Sequence, residues 1–429
     1  MKTTQPAILV SHTHPLIDEK LDITITGLQP SQLATIRMRE TGVPGGVIEG
    51  HSHAVFEADE TGHIHVSRQK PLSGTYGDVH PMGLFWSQEV QKIQFNRSPK
   101  IDEIPFEPRF STVELTVEVD QTVIASNLFT RNFISPDIQI KNIHDNGLVA
   151  KFFSRPDSVS SPGIIVVGGS EGGLVQPSIW AALFASHGYP SLALAYFQSE
   201  DLPDDITNIP LEYIEKAIGW LQQQETVDAG KIAMFGRSKG AELSLVSGAT
   251  FSSIKAVIAI SPTSVVSIGS CPCGNGDEHQ PESSWSYQGE PLPFVSWTRE
   301  QCQEALQNIR RMERFDHIHR ATLDEHHLVE AATIPVEKIN GPILLVSSDD
   351  DHYWPADWHC EQMVKRLKER NFPHAVTHLN YPDVGHGIRY PYIQTTLLCM
   401  NGGTAYTNAL ASEHSYRKVL EFLQETFQE

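Results

Sequence analysis

The sequence predicts a two-domain protein: an all-β sandwich followed by a doubly wound α/β domain with a mostly parallel sheet. A chain of 429 residues exceeds what one ordinary hydrophobic core accommodates. Short alternating or β-branched runs fill the first part without helical periodicity between them. From Asn146 onward, near-continuous apolar runs alternate with helix-like segments. We place the domains at residues 1–140 and 141–429.

The β region is predicted from six runs bounded by turn residues such as Gly27. Strands at this spacing are typical of a sandwich. The runs cover residues 21–26, 33–38, 54–57, 63–66, 112–119 and 123–125. The region also contains histidines in i, i+2 pairs, which share one face of a strand. Those pairs suggest either a metal site or solvated strand positions, and we favour the second interpretation. The paired residues are His12, His14, His51, His53, His63 and His65.

The α/β region is predicted from strands that are apolar along their whole length, as in a parallel sheet covered by helices on both faces. They cover residues 164–167, 191–195, 232–235, 256–260, 343–346 and 375–379. Helical spacing follows Pro210, which we place at a first helical position. Residues 270–333, rich in Pro, His, Arg and Trp, interrupt the pattern. We expect a lid-like insertion over the strand ends, where substrate pockets commonly lie.

Composition excludes several classes of function. Lys and Arg number 32 against 52 Asp and Glu, a net charge of −20, which disfavours nucleic acid as a partner. No run approaches the roughly 18 apolar residues of a membrane span, and the N-terminus resembles neither a signal nor a transit peptide. We therefore expect a cytoplasmic protein without a membrane partner. The five cysteines are scattered, and free thiols are favoured over a metal site at Cys271 and Cys273.

The segment Gly236-Arg-Ser-Lys-Gly240 is the strongest chemical signal in the chain. An apolar strand precedes it and an apolar-periodic helix follows it. A serine on such a sharp turn needs glycine neighbours, because the helix backbone passes close to the strand. This pattern predicts Ser238 as a nucleophile. The alternative is a structural turn that happens to contain serine.

A serine nucleophile requires a base and a group that orients the base, in the chain order Ser, acid, His. His386 stands between two glycines after the last predicted strand and is the predicted base. The acid is expected in the loop after strand 343–346, which contains three consecutive aspartates. We prefer Asp351, a few residues before a Pro-containing helix start, and place Asp350 second. Turn and helix-cap chemistry is the alternative for these aspartates.

Acyl transfer also requires backbone amides that bind an oxyanion. One predicted donor is the amide of Lys239, the residue after the nucleophile. The other is expected from the glycine-rich loop 167–173, with Ser170 first and Glu171 next. Such a loop can instead hold phosphate, but it lacks a P-loop lysine. No metal and no organic cofactor is implied.

Five segments together resemble the acyl-CoA thioesterase and bile acid-CoA:amino acid N-acyltransferase family. They are 81–86 (PMGLFW), 188–197 followed by 201–203, 236–243 (GRSKGAEL), 350–354 (DDHYW) and 381–386 (YPDVGH). The resemblance covers nearly the whole chain. It implies an immunoglobulin-like N-terminal domain and a C-terminal α/β-hydrolase domain. By position it supports Asp351 as the acid and His386 as the base.

The resemblance also bears on the acceptor of the acyl group. Family members that transfer to an amino acid resemble one another in having cysteine at the elbow, whereas the thioesterases have serine. Ser238 therefore implies hydrolysis of acyl-CoA to free acid and CoA. The alternatives are an acyltransferase to an amine or alcohol, a carboxylesterase or dienelactone-type hydrolase, and an acyl-ligand binding protein with a vestigial triad. Acyl chain length and oligomeric state stay open.

Arginines in the insertion are candidates for contacts with CoA phosphates in an otherwise acidic protein. A solvated helix face is an equally good interpretation. The residues are Arg299, Arg310, Arg311, Arg314 and Arg320.

Overall fold

A computed structural model describes residues 5–95, 100, 106–156, 159–269 and 281–427, without the side chains of residues 399 and 400. The strands are β1 Ala7–Val10, β2 Ile23–Thr26, β3 Leu33–Val43, β4 Gly46–Glu57, β5 Ile64–His65, β6 Ser73–Gly74, β7 Glu89–Phe95, β8 Phe110–Val119, β9 Thr122–Asn132, β10 Gln139–Asp145, β11 Leu148–Ser154, β12 Ser161–Val167, β13 Ser191–Leu194, β14 Ile209–Pro210, β15 Val227–Arg237, β16 Ile254–Ile260, β17 Trp285–Tyr287, β18 Glu290–Pro291, β19 Ile343–Ser348 and β20 Val376–Tyr381.

The helices are α1 Gly83–Trp86, α2 Val175–Ser186, α3 Glu212–Gln222, α4 Lys239–Thr250, α5 Arg299–Arg311, α6 Asp316–Thr322, α7 His326–Ala332, α8 Ala356–Glu369 and α9 Ala405–Phe427. Short 3-10 helices cover Val336–Lys338 and Thr396–Asn401. None of the helices in the described ranges is long and apolar enough to cross a membrane.

An eight-stranded sheet organises the second part of the chain, in the order β10-β11-β13-β12-β15-β16-β19-β20. β11 is antiparallel to both β10 and β13, and every other neighbouring pair is parallel. This confirms the mostly parallel sheet predicted from the apolar runs. The edge strand β10 and its antiparallel neighbour β11 were not predicted. The sheet begins at Gln139, and the division at residues 140 and 141 stays a prediction.

Helices cover both faces of this sheet, as the all-apolar strands predict. Successive residues of each strand alternate between two buried clusters. In β12, for example, Ile165 and Val167 belong to the buried cluster that includes residues of α3, α4 and α8, whereas Ile164 and Val166 belong to the cluster that includes residues of α2 and α9. Because the central strands are parallel, their carboxyl ends lie along one edge of the sheet. The loops that follow β12, β15, β19 and β20 therefore meet there.

In its described residues, the N-terminal part is built from strands apart from the four-residue helix α1. One sheet has the order β6-β4-β3-β8-β9, with β7 also paired to β4, and a second sheet has the order β1-β2-β5. Residues Ile23 and Ile25 of the small sheet share a buried cluster with Ile36 and Leu115 of the larger one. The two sheets are consistent with the predicted all-β sandwich, which stays a prediction. Its immunoglobulin-like classification stays a prediction.

The described part of the predicted insertion, residues 281–333, contains β17, β18 and helices α5 to α7. β17 pairs with β14, so Pro210 belongs to a strand and α3 begins at Glu212. The expectation that Pro210 opens the helix is therefore wrong. The main-chain N–H groups of Phe315 and Asp316 donate to the carbonyl oxygen of His352, which anchors α6 to the loop after β19.

Candidate active site

Ser238 stands at a sharp turn between β15 and α4, with φ 58° and ψ −125°. This left-handed backbone is unusual for a residue with a side chain, and such strain is concentrated at functional sites. The two flanking glycines allow the turn to close. A Cβ at Gly236 would lie 2.0 Å from the carbonyl oxygen of Gly240, and a Cβ at Gly240 would lie 2.2 Å from that of Gly168. The sequence motif is thus explained by close packing of backbone.

The structure brings Ser238, His386 and Asp351 together. His386 Nε2 lies 2.9 Å from Ser238 Oγ, and His386 Nδ1 lies 2.7 Å from Asp351 Oδ2. A carboxylate only accepts, so Nδ1 carries the proton and donates it, which leaves Nε2 free to accept from the serine hydroxyl. All three residues are buried. This arrangement can activate Ser238 by removing its proton and can stabilise the resulting imidazolium.

The three consecutive aspartates have three different sets of partners. Asp351 Oδ1 accepts from the N–H groups of Tyr353 and Trp354, at 2.8 and 3.3 Å, so that Oδ2 points at His386. Asp350 instead pairs with Arg314 at 3.2 Å and accepts from the N–H of Gly403 at 2.8 Å. Asp349 accepts from the N–H of Asp383. Asp351 is the member of this run that contacts His386.

The loop that carries His386 is fixed by its neighbours. The N–H of His386 donates to the carbonyl oxygen of Asn401 at 2.9 Å, and the N–H of Gly385 donates to Asn408 Oδ1 at 3.0 Å. The imidazole also packs against the rings of Tyr353 and Trp354, with centroids 4.7 and 4.8 Å away. Desolvation raises the pKa of the Tyr353 hydroxyl. The loop of the acid thus supplies both an oxygen and an aromatic wall for the histidine.

The glycine-rich loop after β12 lies directly against Ser238. A Cβ at Gly169 would lie 3.0 Å from Ser238 Cβ, and the Tyr196 hydroxyl donates to the carbonyl oxygens of Gly168 and Gly169 at 3.0 and 3.3 Å. Lys239 is the first residue of α4, where N–H groups have no acceptor within the helix. The side chain of Ser170 is exposed. The amides of Lys239 and Ser170 stay predicted oxyanion donors.

The side chain of Lys239 has a role that the sequence did not indicate. Its Nζ is buried and donates to both oxygens of Glu242, to Ser267 and to Ser284. Glu242 is fully buried and also accepts from the indole N–H of Trp285 in β17 at 2.8 Å. Burial lowers the pKa of Lys239, although Glu242 counteracts this effect. The network ties the helix after Ser238 to the insertion.

Three charged residues beside Ser238 were also not predicted as a group. Arg237 donates to Glu171 Oε1 at 3.0 Å, and Arg389 donates to Gln176 Oε1 at 3.2 Å. Desolvation opposes ionisation of Glu171, but Arg237 and then Arg389 lower the pKa of this carboxyl to about 2. The position of Arg237, directly before the predicted nucleophile, was the available signal in the sequence.

The arginines of the insertion divide between structural pairs and surface positions. Arg314 and Arg320 both pair with the buried carboxylate of Asp316, at 3.1 Å for Arg320. Arg314 also contacts Asp350. Arg311 is exposed and lies 4.0 Å from Glu313. Two of the five candidates for CoA phosphates are therefore held in ion pairs, and the pair of Arg314 with Asp350 links the start of α6 to the acid loop.

An aromatic group from the insertion covers the acid loop. His319 in α6 lies 4.7 Å from the ring of Trp297 and 5.4 Å from that of Trp354. Phe315 stacks on Tyr353 with centroids 4.9 Å apart. Desolvation, followed by His359 and Lys239, lowers the pKa of His319 well below its ordinary value, so its ring is neutral. Together these rings form an apolar surface next to His386.

In the β region, Asp59, His63 and His65 offer ligand atoms within 4.8 Å of one another. Asp59 Oδ1 already accepts from the N–H groups of Thr61 and His63, as in an ordinary turn. The pair His63 and His65 is one of those recognised in the sequence. Cys271 and Cys273 lie outside the described residues, and Cys302 and Cys360 are buried thiols without a disulfide.

Comparison with known proteins gives two family matches. Residues 209–429 match the family described as "BAAT / Acyl-CoA thioester hydrolase C terminal", and residues 18–145 match the "Acyl-CoA thioester hydrolase/BAAT N-terminal region". The chain is 30% identical to acyl-coenzyme A amino acid N-acyltransferase 1 of Mus musculus, covering 97% of each chain. It is 28% identical to acyl-coenzyme A thioesterase 6 of Mus musculus, covering 95% of this chain and 93% of that protein.

Among solved structures, the chain is similar to a dienelactone hydrolase-like promiscuous phosphotriesterase from metagenomic libraries. The TM-score is 0.42 at 13% identity, and the match covers 68% of this chain and 99% of that one.

Proposed function

Because the chain belongs to the family of acyl-CoA thioester hydrolases and bile acid-CoA:amino acid N-acyltransferases, we propose that it hydrolyses acyl-CoA thioesters through Ser238, His386 and Asp351. The observation that carries this proposal is the continuous line of hydrogen bonds from Asp351 through His386 to a serine oxygen. Its relatives include proteins named as acyl-CoA thioesterases, which supports the same substrate class here.

In the first half of the proposed reaction, Ser238 Oγ attacks the thioester carbonyl while His386 Nε2 takes the hydroxyl proton. The tetrahedral oxyanion is bound by the amides of Lys239 and Ser170. Its collapse breaks the carbon–sulfur bond, and His386 returns the proton to the departing thiolate. The products of this step are free CoA and an acyl ester on Ser238.

In the second half, His386 removes a proton from water, and the hydroxide attacks the acyl ester. Collapse of the second oxyanion releases the carboxylic acid, and the proton from His386 restores the serine hydroxyl. Asp351 holds the imidazole in the required tautomer throughout and stabilises its charged form. Neither half requires a metal or an organic cofactor.

Release of CoA thiol from acyl-CoAs of increasing chain length tests this proposal directly. Wild-type protein is expected to release thiol, and Ser238→Ala is expected to release essentially none. A serine-directed fluorophosphonate should label the wild type and not the variant. If wild type and Ser238→Ala were equally inactive and equally unlabelled, the chain would instead be a binding protein.

Transfer to an amine is the second candidate. It is favoured by the 30% identity with a relative named as an amino acid N-acyltransferase. An amine that attacks the acyl ester instead of water would yield an amide with the same Ser238, His386 and Asp351. Mass spectrometry of reactions supplied with glycine separates the two outcomes, because hydrolysis yields only the free acid.

A further inference from the structure

The charged group beside Ser238 contains more positive than negative charge. Arg237 is almost fully buried and pairs with Glu171, whose side chain retains partial exposure. Glu171 and Ser238 flank the same glycine: a Cβ at Gly169 would lie 2.8 Å from Glu171 Oε2 and 3.0 Å from Ser238 Cβ. The ion pair therefore lies at the edge of the reaction centre.

Arg389 is the member of this group whose guanidinium hydrogen-bonds to a neutral side chain. Its side chain donates to the neutral amide of Gln176, and within the described residues it forms no ion pair. Desolvation, followed by repulsion from Arg237, lowers the pKa of this guanidinium to about 10, so it stays charged at neutral pH. Desolvation of a guanidinium is costly unless charged partners balance it, and here Arg237 and Arg389 share the carboxylate of Glu171. The group therefore has one positive charge in excess, which an anionic ligand would balance.

The location of Arg389 restricts the ligand that it can meet. Gln176 lies in the first turn of α2, directly after the glycine-rich loop that contacts Ser238. Desolvation raises the pKa of Tyr353, whose ring packs on His386, and the positive charges of Arg237 and Arg389 oppose this shift. Arg237 directly precedes Ser238 and Arg389 follows His386 by three residues, so both guanidinium groups belong to the loops that form the proposed reaction centre. The phosphates of CoA lie at the far end of the pantetheine arm and do not reach this place when the thioester is at Ser238.

We propose that Arg389, backed by Arg237, forms a carboxylate-binding subsite next to Ser238. The planar guanidinium matches a carboxylate with two parallel hydrogen bonds. This inference rests on the proposed acyl transfer at Ser238 and names its substrate class: a reactant that carries a carboxylate close to the reacting carbonyl. The carboxylate belongs either to the far end of the acyl group or to an acceptor such as an amino acid.

The first test compares adipyl-CoA with hexanoyl-CoA, which have the same chain length and differ in a terminal carboxylate. Wild type is expected to have the higher kcat/KM for adipyl-CoA. Arg389→Gln is expected to lower kcat/KM for adipyl-CoA about tenfold or more beyond its effect on hexanoyl-CoA. Arg389→Lys should recover part of the difference, because it retains the charge without the two-point geometry. The matched control is Arg68→Gln, because Arg68 is exposed and this substitution removes the same charge.

The second test places the carboxylate on the acceptor. Hexanoyl-CoA is supplied with glycine or with glycinamide, which lacks the carboxylate. If wild type forms much more hexanoylglycine than hexanoylglycinamide, and Arg389→Gln loses this preference, the carboxylate is assigned to the acceptor. If Arg389→Gln changed all four reactions by one common factor, the subsite would be disproved.

Binding without turnover separates this inference from the proposed function. In the Ser238→Ala protein, calorimetry should show tighter binding of adipyl-CoA than of hexanoyl-CoA, and Arg389→Gln should remove that difference. Tighter binding supports the subsite even if wild type releases no thiol. Thiol release without discrimination in either test or in binding overturns the subsite and leaves the hydrolase proposal intact. Melting temperatures of the Arg389 variants show whether they are folded.

Discussion

Arg131 Nη2 donates a 3.0 Å hydrogen bond to the carbonyl oxygen of Tyr392, in the segment that follows His386. The same guanidinium pairs with Glu40 at 3.0 Å and stacks over the ring of Phe85 at 4.4 Å. Arg131 is fully buried. The β region and the segment after the predicted base are therefore joined through one buried ion pair.

Removal of this guanidinium is expected to destabilise the protein. Arg131→Met should lower the free energy of unfolding by about 3–5 kcal/mol, because Glu40 would be left buried without its counter-charge. Urea denaturation followed by circular dichroism measures the effect. The double variant Arg131→Met with Glu40→Leu should recover much of the loss. A loss below about 1 kcal/mol in the single variant would show that Glu40 finds another partner.

Adjacent aspartates provide a matched pair for the acid. Asp351→Asn should lower kcat by roughly a thousandfold to ten-thousandfold, because an amide favours the wrong imidazole tautomer. Asp350→Asn should lower kcat by less than about tenfold, since Asp350 contacts Arg314 and Gly403 rather than His386. Thiol release from one acyl-CoA measures both. Equal losses in the two variants would refute the assignment of Asp351.

Alanine substitution at two helical glycines should have different effects, a loss of activity in Gly240→Ala and a gain of stability in Gly219→Ala. In Gly240→Ala the new Cβ would lie 2.2 Å from the carbonyl oxygen of Gly168, so the loop against Ser238 must move. We expect a loss of activity of a hundredfold or more, as for about 1 Å of misplacement at a reaction centre. Gly219→Ala in α3 has no atom within 4 Å of its Cβ and should add about 0.5–1 kcal/mol of stability. Unchanged activity of Gly240→Ala would show that this contact is dispensable.

Stability should decrease in mild acid because of His359. Burial, and next Arg320, lower the pKa of His359 to about 3, whereas an unfolded histidine has a pKa near 6.5. Between these values the unfolded chain binds a proton that the folded chain does not, so stability falls as the pH decreases below about 6.5.

The variant His359→Gln isolates this proton, since its amide oxygen can still accept from the N–H of Ser264, which now donates to His359 Nδ1 at 3.1 Å. The slope of unfolding free energy between pH 4 and pH 6 should fall by about 1.4 kcal/mol per pH unit relative to wild type. The exposed His326→Gln is the control. An unchanged slope in His359→Gln would mean that His359 is protonated in the folded state.

Ser238 and His386 could be predicted as site residues from the sequence because each stands in a short local pattern that requires a specific backbone turn. Glycines flank both residues, and the backbone contacts at Gly236, Gly240 and Gly385 explain why. The choice of Asp351 over Asp350 rested on its distance from a Pro-containing helix start and on the family resemblance. Geometry provides a stronger reason, since each carboxylate has a different set of partners.

Other features depend on contacts between distant parts of the chain, which periodicity does not encode. Nothing near Arg389 in the sequence identifies Gln176 as its partner. Contacts with Ser284 and Trp285 of the insertion likewise explain why the Lys239 side chain points into the protein rather than into solvent. The two-residue strands β14 and β18 are too short to show a period.

The buried contact between Lys239, Glu242 and Trp285 has a consequence for how this enzyme class diversifies. Glu242 accepts hydrogen bonds both from Lys239, the residue after Ser238, and from Trp285 in β17, so one buried carboxylate links α4 to the insertion. If the insertion moved away as a unit to admit a bulkier acyl group, the buried carboxylate of Glu242 would become exposed. Substitution of side chains such as Trp297 and Phe315, while the insertion keeps its position, is therefore the easier route to a different substrate.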